Sequence, residues 1–289
     1  MLAIYQKELK SYFNNLFGYL YIAIIALFMG LFAALYHFSN YLIANVAYSL
    51  DNLAIVVVLV TPLLTMRVIA EERQKKTDQL LYSLPVSVTA TVVAKYLAMF
   101  TVYLIPMLII SIYPFIMSAF GLVNFASSFS SILAFTLMGA CLLAIGMFIS
   151  ALTENQIVSA ILSFVTMLII YFAGGIANNL VPADALSSFI ALTVLVVVLG
   201  AIVYVMVKNY IAALAAMTVA EVVLAVFYKV SQTSFEGLFA KIVNWFSVYQ
   251  RCVNFYNNIF DLAAIVYFLS VIFLFVFLTV QAVEKRRWS

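Results

Sequence analysis

The sequence predicts an all-α, polytopic transmembrane helical bundle, and three observations lead there. Hydrophobic residues make up 67% of the 289 residues and charged residues only 9%, where a soluble domain carries roughly 25% charged residues. The apolar residues fall in long continuous runs, and a helix needs ~20 such residues to cross the hydrocarbon core. The runs lack the ~10-residue alternation of a transmembrane β-barrel, the other fold that satisfies its backbone within lipid.

The elements follow in chain order. Met1 to Phe17 is amphipathic and the apolar run behind it is too long for a cleavable signal, so the N-terminus is expected to be retained. Within 2–17, Tyr5, Leu9, Tyr12, Phe13 and Leu16 recur at helical spacing against Gln6, Lys7, Glu8 and Lys10. Such a helix is expected to lie flat with its apolar face in the headgroup boundary. Eight apolar spans are expected near 18–38, 52–70, 96–120, 130–152, 157–177, 187–207, 210–228 and 261–283. The sixth and seventh are joined only by Lys208, Asn209 and Tyr210, a pattern that a long re-entrant hairpin would also give. A second interfacial helix is expected over 234–247, with Phe235, Leu238, Phe239, Ile242 and Phe246 on one face against Glu236, Lys241 and Asn244.

Positive residues near span ends are retained in the cytoplasm. With the N-terminus inside, Lys7, Lys10, Arg67, Arg73, Lys75, Lys76, Lys95, Lys208, Lys285, Arg286 and Arg287 are cytoplasmic, and only Lys229, Lys241 and Arg251 lie outside. An even number of spans then brings the C-terminus inside as well. Cys141 and Cys252 fall in a span and in an outer segment, a poor pairing for a disulfide.

The one long polar interruption on the inner side is 71–95. Its charged start extends the second span, and Thr77 or Asp78 is placed to cap a short helix. Leu80, Leu81 and Leu84 share a face of that helix, and Pro85 disfavours helix at Leu84 and ends it. Ser87 or Thr89 opens the next helix, which leads through Lys95 into the third span. Two readings are open for the leucines: contact with the membrane surface, or insertion into a cleft of a cytosolic partner.

These residues resemble the type-2 ABC transporter permeases, notably the gliding-motility and nitrous-oxide-reductase-accessory branch. The resemblance rests on Glu71-Glu72, Thr77, Leu80-Leu81, Leu84-Pro85-Val86-Ser87 and Lys95. It extends to Lys7–Asn15, similar to the family's elbow helix, to Asn155-Gln156-Ile157-Val158 at the fifth span, and to the tail from Asp261 to Trp288. Lys76 stands where the family usually has Gly before the Thr, and eight spans exceed the six of many members, the surplus being 187–228.

The resemblance implies the transmembrane half of an ATP-driven transporter, more often an exporter, with a coupling helix in 71–95 seated in a separate ATPase subunit. Coupling residues would be Glu71, Glu72, Thr77, Leu80, Leu81, Leu84 and Pro85. No Gly-x-x-x-x-Gly-Lys-Ser/Thr phosphate cradle occurs, so ATP hydrolysis is expected in the partner, which would bind ATP-Mg, and no cofactor is expected on this chain. The implied partners are that ATPase, a second permease copy or paralogue, and the lipid bilayer of the cell membrane, with no role for nucleic acid.

Other residues are weighed on their chemistry. Glu221 lies mid-span, where a carboxyl costs a few kcal/mol and marks a candidate functional residue, or else packs hydrogen-bonded against a neighbouring helix. Ala212, Ala216 and Ala220 nearby favour close helix contact. His37 with Asp51 is too small a set for zinc. Pro62, Pro106 and Pro114 read as kinks, and Gly139, Gly146 and Ser150 as a packing face. Two other function classes compete. Glu71-Glu72 resembles the start of the Glu-Glu-x-x-x-Arg motif of membrane proteases, but Lys76 stands at the Arg position and no second histidine exists. An ATP-independent transporter or channel would use Glu221.

Overall fold

The computed structural model describes residues 1–38, 45–77, 86–119, 121–179, 182–207 and 210–287, and every regular element among them is helical. Leu80, Leu81, Leu84, Pro85, Lys208 and Asn209 lie outside the described residues. The chain divides into two compact units, Met1–Tyr171 with Val248–Ser289, and Phe172–Ser247.

In the first unit, α1 (Leu2–Asn14) is the expected N-terminal helix. Its apolar stripe faces protein rather than lipid alone. Tyr12 is buried, Leu9 and Phe13 pack against the core, and the Tyr5 hydroxyl bonds Thr101 Oγ1 at 2.9 Å. Extended backbone at Asn15 turns the chain into α2 (Leu16–Ala33), which continues as a π-helical turn over Ala34–Phe38. Gly18 is required at this turn, because a Cβ there would sit 2.8 Å from the Tyr12 carbonyl oxygen.

The second span holds α3 (Ala47–Thr65) and α4 (Ala70–Gln74), parted by an open turn at 66–69. Pro62 lies inside α3, where it has no N–H to donate to the preceding turn, and its own carbonyl still accepts from Met66 N at 2.9 Å. The third span starts at Ser87, whose side chain accepts from Ala90 N at 3.2 Å as an N-cap. It runs as α5 (Val88–Ile110), breaks at 111–112, and resumes as α6 (Tyr113–Ser118) with Pro114 in its first turn. Asn124 caps α7 (Phe125–Leu152) by accepting from Ser127 N at 3.1 Å.

α7 is the most deeply buried of the spans, and its small residues are the reason. A Cβ on Gly139 would lie 2.2 Å from the Tyr103 ring, and one on Gly146 would lie 2.5 Å from Thr65 Oγ1. The Tyr103 and Tyr96 hydroxyls donate to the Phe135 and Ala140 carbonyls of the same helix at 2.9 and 3.1 Å. α8 (Gln156–Asn179), most of it in this unit, and α13 (Leu262–Arg287) turn much of their apolar surface outward. Both cysteines are buried free thiols. A short helix absent from the sequence expectation, α12 (Gln250–Tyr256), precedes α13 and buries Cys252 and Phe255.

The second unit contains α9 (Ala185–Val207) and α10 (Tyr210–Val230), which occupy the positions of the two surplus spans. They approach closely, since a Cβ on Gly200 would meet Met217 at 2.2 Å. The interfacial helix expected over 234–247 is divided instead. A 3-10 turn at Gln232–Phe235 is followed by Gly237 at φ 64°, whose N–H bonds the Ala183 carbonyl at 2.8 Å, and then by α11 (Leu238–Phe246). Among the described residues, six helices are long and apolar enough to cross a bilayer: Leu16–His37, Ala47–Gln74, Val88–Ser118, Phe125–Leu152, Gln156–Asn179 and Leu262–Arg286.

Candidate functional site at the root of the 71–95 loop

The residues flanking the polar loop build one connected polar node at the charged end of the first unit. It begins with the open turn at 66–69, where the backbone needs partners from elsewhere. Ser150 of α7 supplies them: its Oγ accepts from Ile69 N at 3.3 Å and Ala70 N at 3.1 Å, and it lies 3.4 Å from the Met66 carbonyl to which it donates. A buried N–H without a partner costs about 1–3 kcal/mol, so this single hydroxyl stabilises the break.

Arg73 crosses the other way. Its buried guanidinium donates to the Ala151 carbonyl and to Thr153 O, at the C-terminal end of α7. The last carbonyls of a helix lack intrahelical donors and carry partial negative charge, so a cation there is favourable. Arg73 and Ser150 thus tie the outgoing limb of the loop to α7 by two independent contacts.

Lys95 anchors the returning limb. Its side chain is only 3% exposed, and its ammonium donates to Glu72 at 2.8 Å, Glu8 at 3.0 Å and the Val68 carbonyl at 2.9 Å. An ammonium has three protons, and all three are engaged. The three acceptors come from α4, α1 and the open turn, so one cation joins four parts of the chain. Lys7 lies 3.9 Å from Glu72 at the rim.

Glu71, next to Glu72 in α4, has its own partners. Arg67 Nε donates to it at 2.6 Å and Lys75 Nζ at 2.6 Å, two i,i+4 pairs sharing one carboxylate. The Phe17 ring packs 4.5 Å beneath the Arg67 guanidinium, a cation–π contact. Nearby, Tyr12 donates its hydroxyl to the Leu64 carbonyl at 2.9 Å. Burial, reinforced by Glu8, pushes the Tyr12 phenol well above its usual range and keeps it a donor. A cavity of about 230 Å³ opens among these groups, lined by Lys7, Glu8, Ser11, Tyr12, Arg67, Val68, Glu71, Glu72, Lys75 and Thr77.

Where the loop leaves α4, Lys76 adopts φ 57°. Thr77 N bonds the Glu72 carbonyl at 2.9 Å and Lys76 N bonds Arg73 O at 3.0 Å, the pair of bonds of a Schellman C-cap whose left-handed position favours glycine. The Thr77 hydroxyl also donates to Glu72 O at 3.3 Å. The departure from the family's Gly at position 76 therefore falls on a residue held in the conformation that glycine adopts without cost.

Of the residues singled out from sequence, Glu71, Glu72 and Thr77 come together here, while Leu80, Leu81, Leu84 and Pro85 lie outside the described residues. Glu71 and Glu72 make their ion pairs within this chain. Glu221 is half-buried midway along α10 in the second unit. His37 bonds Ser49 at 2.8 Å and Asp51 accepts from Tyr249, so each is engaged separately. No group of three or more His, Cys, Asp or Glu able to hold a metal occurs among the described residues.

Sequence reasoning passed over Glu8, Arg67 and Arg73 as site residues. Arg67 and Arg73 were readable only as inner-side charges, and Glu8 only as part of a polar face. The family whose description is ABC-2 family transporter protein matches residues 38–192. That match contains both limbs of the loop with Arg73, Lys95 and Ser150, and Glu8 lies before it. No curated protein matches the chain. The 38–192 match takes in more than half of the chain, and the helical membrane architecture agrees with it: the chain belongs to the ABC-2 family of transporter proteins.

Proposed function

We propose that this chain is the permease subunit of an ATP-driven exporter, working as a pair with a second copy or a paralogue and coupled to separate ATPase subunits through the loop 71–95. The observation that carries the reading is the rooting of both limbs of that loop in one buried node. A displacement applied to the loop at Thr77 or Ser87 acts on α7 through Arg73 and Ser150, and on α1 and α5 through Lys95. A loop without such roots would absorb the same push in its own bending.

Within this proposal Leu80, Leu81 and Leu84 enter the ATPase and Pro85 ends their helix, while Glu71, Glu72 and Thr77 fix how the loop emerges. Mg-ATP binds the partner and not this chain. Eleven Lys and Arg against three support a cytoplasmic position for the loop and both termini. Export is the direction favoured by analogy with the family.

The test is purification of tagged protein from its native host in mild detergent, with ATP hydrolysis measured for wild type and Leu81→Asp. An ATPase subunit that accompanies wild type and is lost from the variant is the expected result. A protein that emerges alone under several detergents, with transport in vesicles that needs no ATP and fails in Glu221→Gln, would replace the proposal with an ATP-independent transporter.

A further inference from the structure

We infer that the hollow at the C-terminal end of α8, bounded by the start of α9 and by α11, is a binding site for a neutral, hydroxyl-rich molecule the size of a hexose. All of its lining belongs to the second unit. The inference stands independently of the ATPase partner and of the loop 71–95.

Three observations carry it. First, the hollow has the volume of a small-molecule site and side chains too short to fill it. It measures about 280 Å³, close to the ~300 Å³ at which such sites begin. Ala177, Ala183 and Ala240 line it and end at Cβ, and a Cβ added at Gly237 would meet nothing within 4 Å. The bond from Gly237 N–H to the Ala183 carbonyl, 2.8 Å long, ties two sides of the lining together.

Second, a buried hydroxyl in the lining has no partner. Ser188 is 1% exposed, and its Oγ makes no hydrogen bond among the described residues. Serines elsewhere in this chain donate to a carbonyl one turn back, as Ser111 does to Met107 O at 2.9 Å and Ser270 to Val266 O at 2.7 Å. Ser188 does not. A buried hydroxyl left unsatisfied costs stability, and a bound group that bonds it removes that cost.

Third, the lining offers donors and acceptors together, and none is charged. Asn179 donates its amide N–H to the Gly175 carbonyl at 2.9 Å, which leaves Oδ1 as an acceptor. Asn178 accepts from Asn244 Nδ2 at 2.9 Å, which orients its amide and leaves the NH2 as a donor. The Ser188 hydroxyl can do either. No Asp, Glu, Lys, Arg or His is among the lining residues, so an ionic group would enter with its charge unpaired. A hydroxyl, itself donor and acceptor, matches each of the three in turn. α8 is long enough to cross a bilayer and ends at Asn179, which on the orientation proposed above puts the hollow at the outer surface. The molecule is then a sugar in the outer water or the headgroup of a glycolipid.

The experiment uses the full chain in phosphatidylcholine nanodiscs. Methyl β-D-glucoside is the soluble probe, followed by saturation-transfer NMR. Monoglucosyl diacylglycerol is the membrane probe, counted as retained lipid by native mass spectrometry. Wild type is expected to bind the sugar. Ser188→Ala is expected to bind it about fivefold more weakly, as the loss of one neutral hydrogen bond gives, and Ala240→Leu, which fills the hollow, to abolish binding. Without ligand, Ser188→Ala is expected to keep or raise the melting temperature, because the hydroxyl it removes has no partner; a fall would show that the hydroxyl serves the fold and would overturn its role. Absence of binding by both probes, or binding that neither substitution weakens, would overturn the site and leave a hollow filled by water. Displacement of the glucoside by inorganic phosphate at matched ionic strength would overturn recognition of a neutral group. Tighter retention of the lipid than of the free glucoside assigns the source to the bilayer and the reverse assigns it to the outer water, the same sugar chemistry being recognised in both.

Discussion

Replacing Lys95 with Met tests the node directly. Methionine preserves much of the stem but removes the ammonium that Glu8, Glu72 and the Val68 carbonyl share. The two carboxylates are not left equal. Glu72 retains Lys7 at 3.9 Å, whereas Lys95 is the cation paired with Glu8, whose side chain is 13% exposed. Breaking a buried pair by removing one partner costs about 3–5 kcal/mol, because the other charge stays desolvated, and Lys95→Met falls in that range. Glu8→Gln is milder at about 1.5–3 kcal/mol, the value of one hydrogen bond to a charged group, since Lys95 keeps its other two acceptors. In the double variant the stranded charge on Glu8 is gone, so its cost falls short of the sum of the single changes by about 1–3 kcal/mol, within the range seen for contacting groups. The assay is unfolding of the four proteins in mixed micelles by titrated denaturing detergent, at one fixed lipid composition. Additivity within about 0.5 kcal/mol, as for independent sites, would refute the claim that Lys95 bridges α1 to the loop root.

The remaining predictions concern neighbouring parts of the same architecture. Ser150→Ala withdraws the acceptor of Ile69 and Ala70 N–H and is expected to cost about 1–3 kcal/mol, read as faster amide exchange at those two positions; unchanged exchange would remove Ser150 from the account. Lys76→Gly relieves a left-handed residue at φ 57° and is expected to raise stability by up to about 1 kcal/mol, measured as a higher melting temperature. Gly139→Ala places a Cβ 2.2 Å from the Tyr103 ring and is expected to destabilise by about 1–3 kcal/mol, while Gly121→Ala, with open space around it, leaves the melting temperature where it was.

Six of the eight expected spans were legible from composition alone, while the pair expected over 187–207 and 210–228 is helical but does not appear among those six. Local chemistry was legible too, as at Ser87, where a small hydroxyl residue ahead of an apolar run caps α5 as expected. Contacts between distant residues were not. Nothing near the turn at 66–69 in sequence indicates that Ser150, some 80 residues beyond Ile69 and Ala70, satisfies the opened backbone. Glu8 reads as one charge on the polar face of an amphipathic helix, and its partner lies 87 residues away. The stripe of Tyr5, Leu9, Tyr12 and Phe13 was recognised, yet an apolar face does not reveal whether lipid or protein covers it, and here the third span and its neighbours do. Lys76 shows the reverse case. Its conformation leaves no trace in the local pattern, and only the glycine common at that place in the resembling family pointed to it.

The separation of Glu8 from Lys95 also sets a clock on how the protein is made. Chains are synthesised at about 5–20 residues per second, so the 87 residues between the two take ~4–17 s to add. For that interval Glu8 waits without its cation, and α1 is held by its apolar stripe and by earlier-made partners such as the Leu64 carbonyl that Tyr12 bonds. Another 55 or so residues must follow before Ser150 and the end of α7 arrive to receive Ile69, Ala70 and Arg73. The node therefore closes late, from its last-made member inward. A nascent chain stalled before α7 would carry its first three spans in the bilayer with the loop root still open and within reach of proteases that survey unfinished membrane proteins.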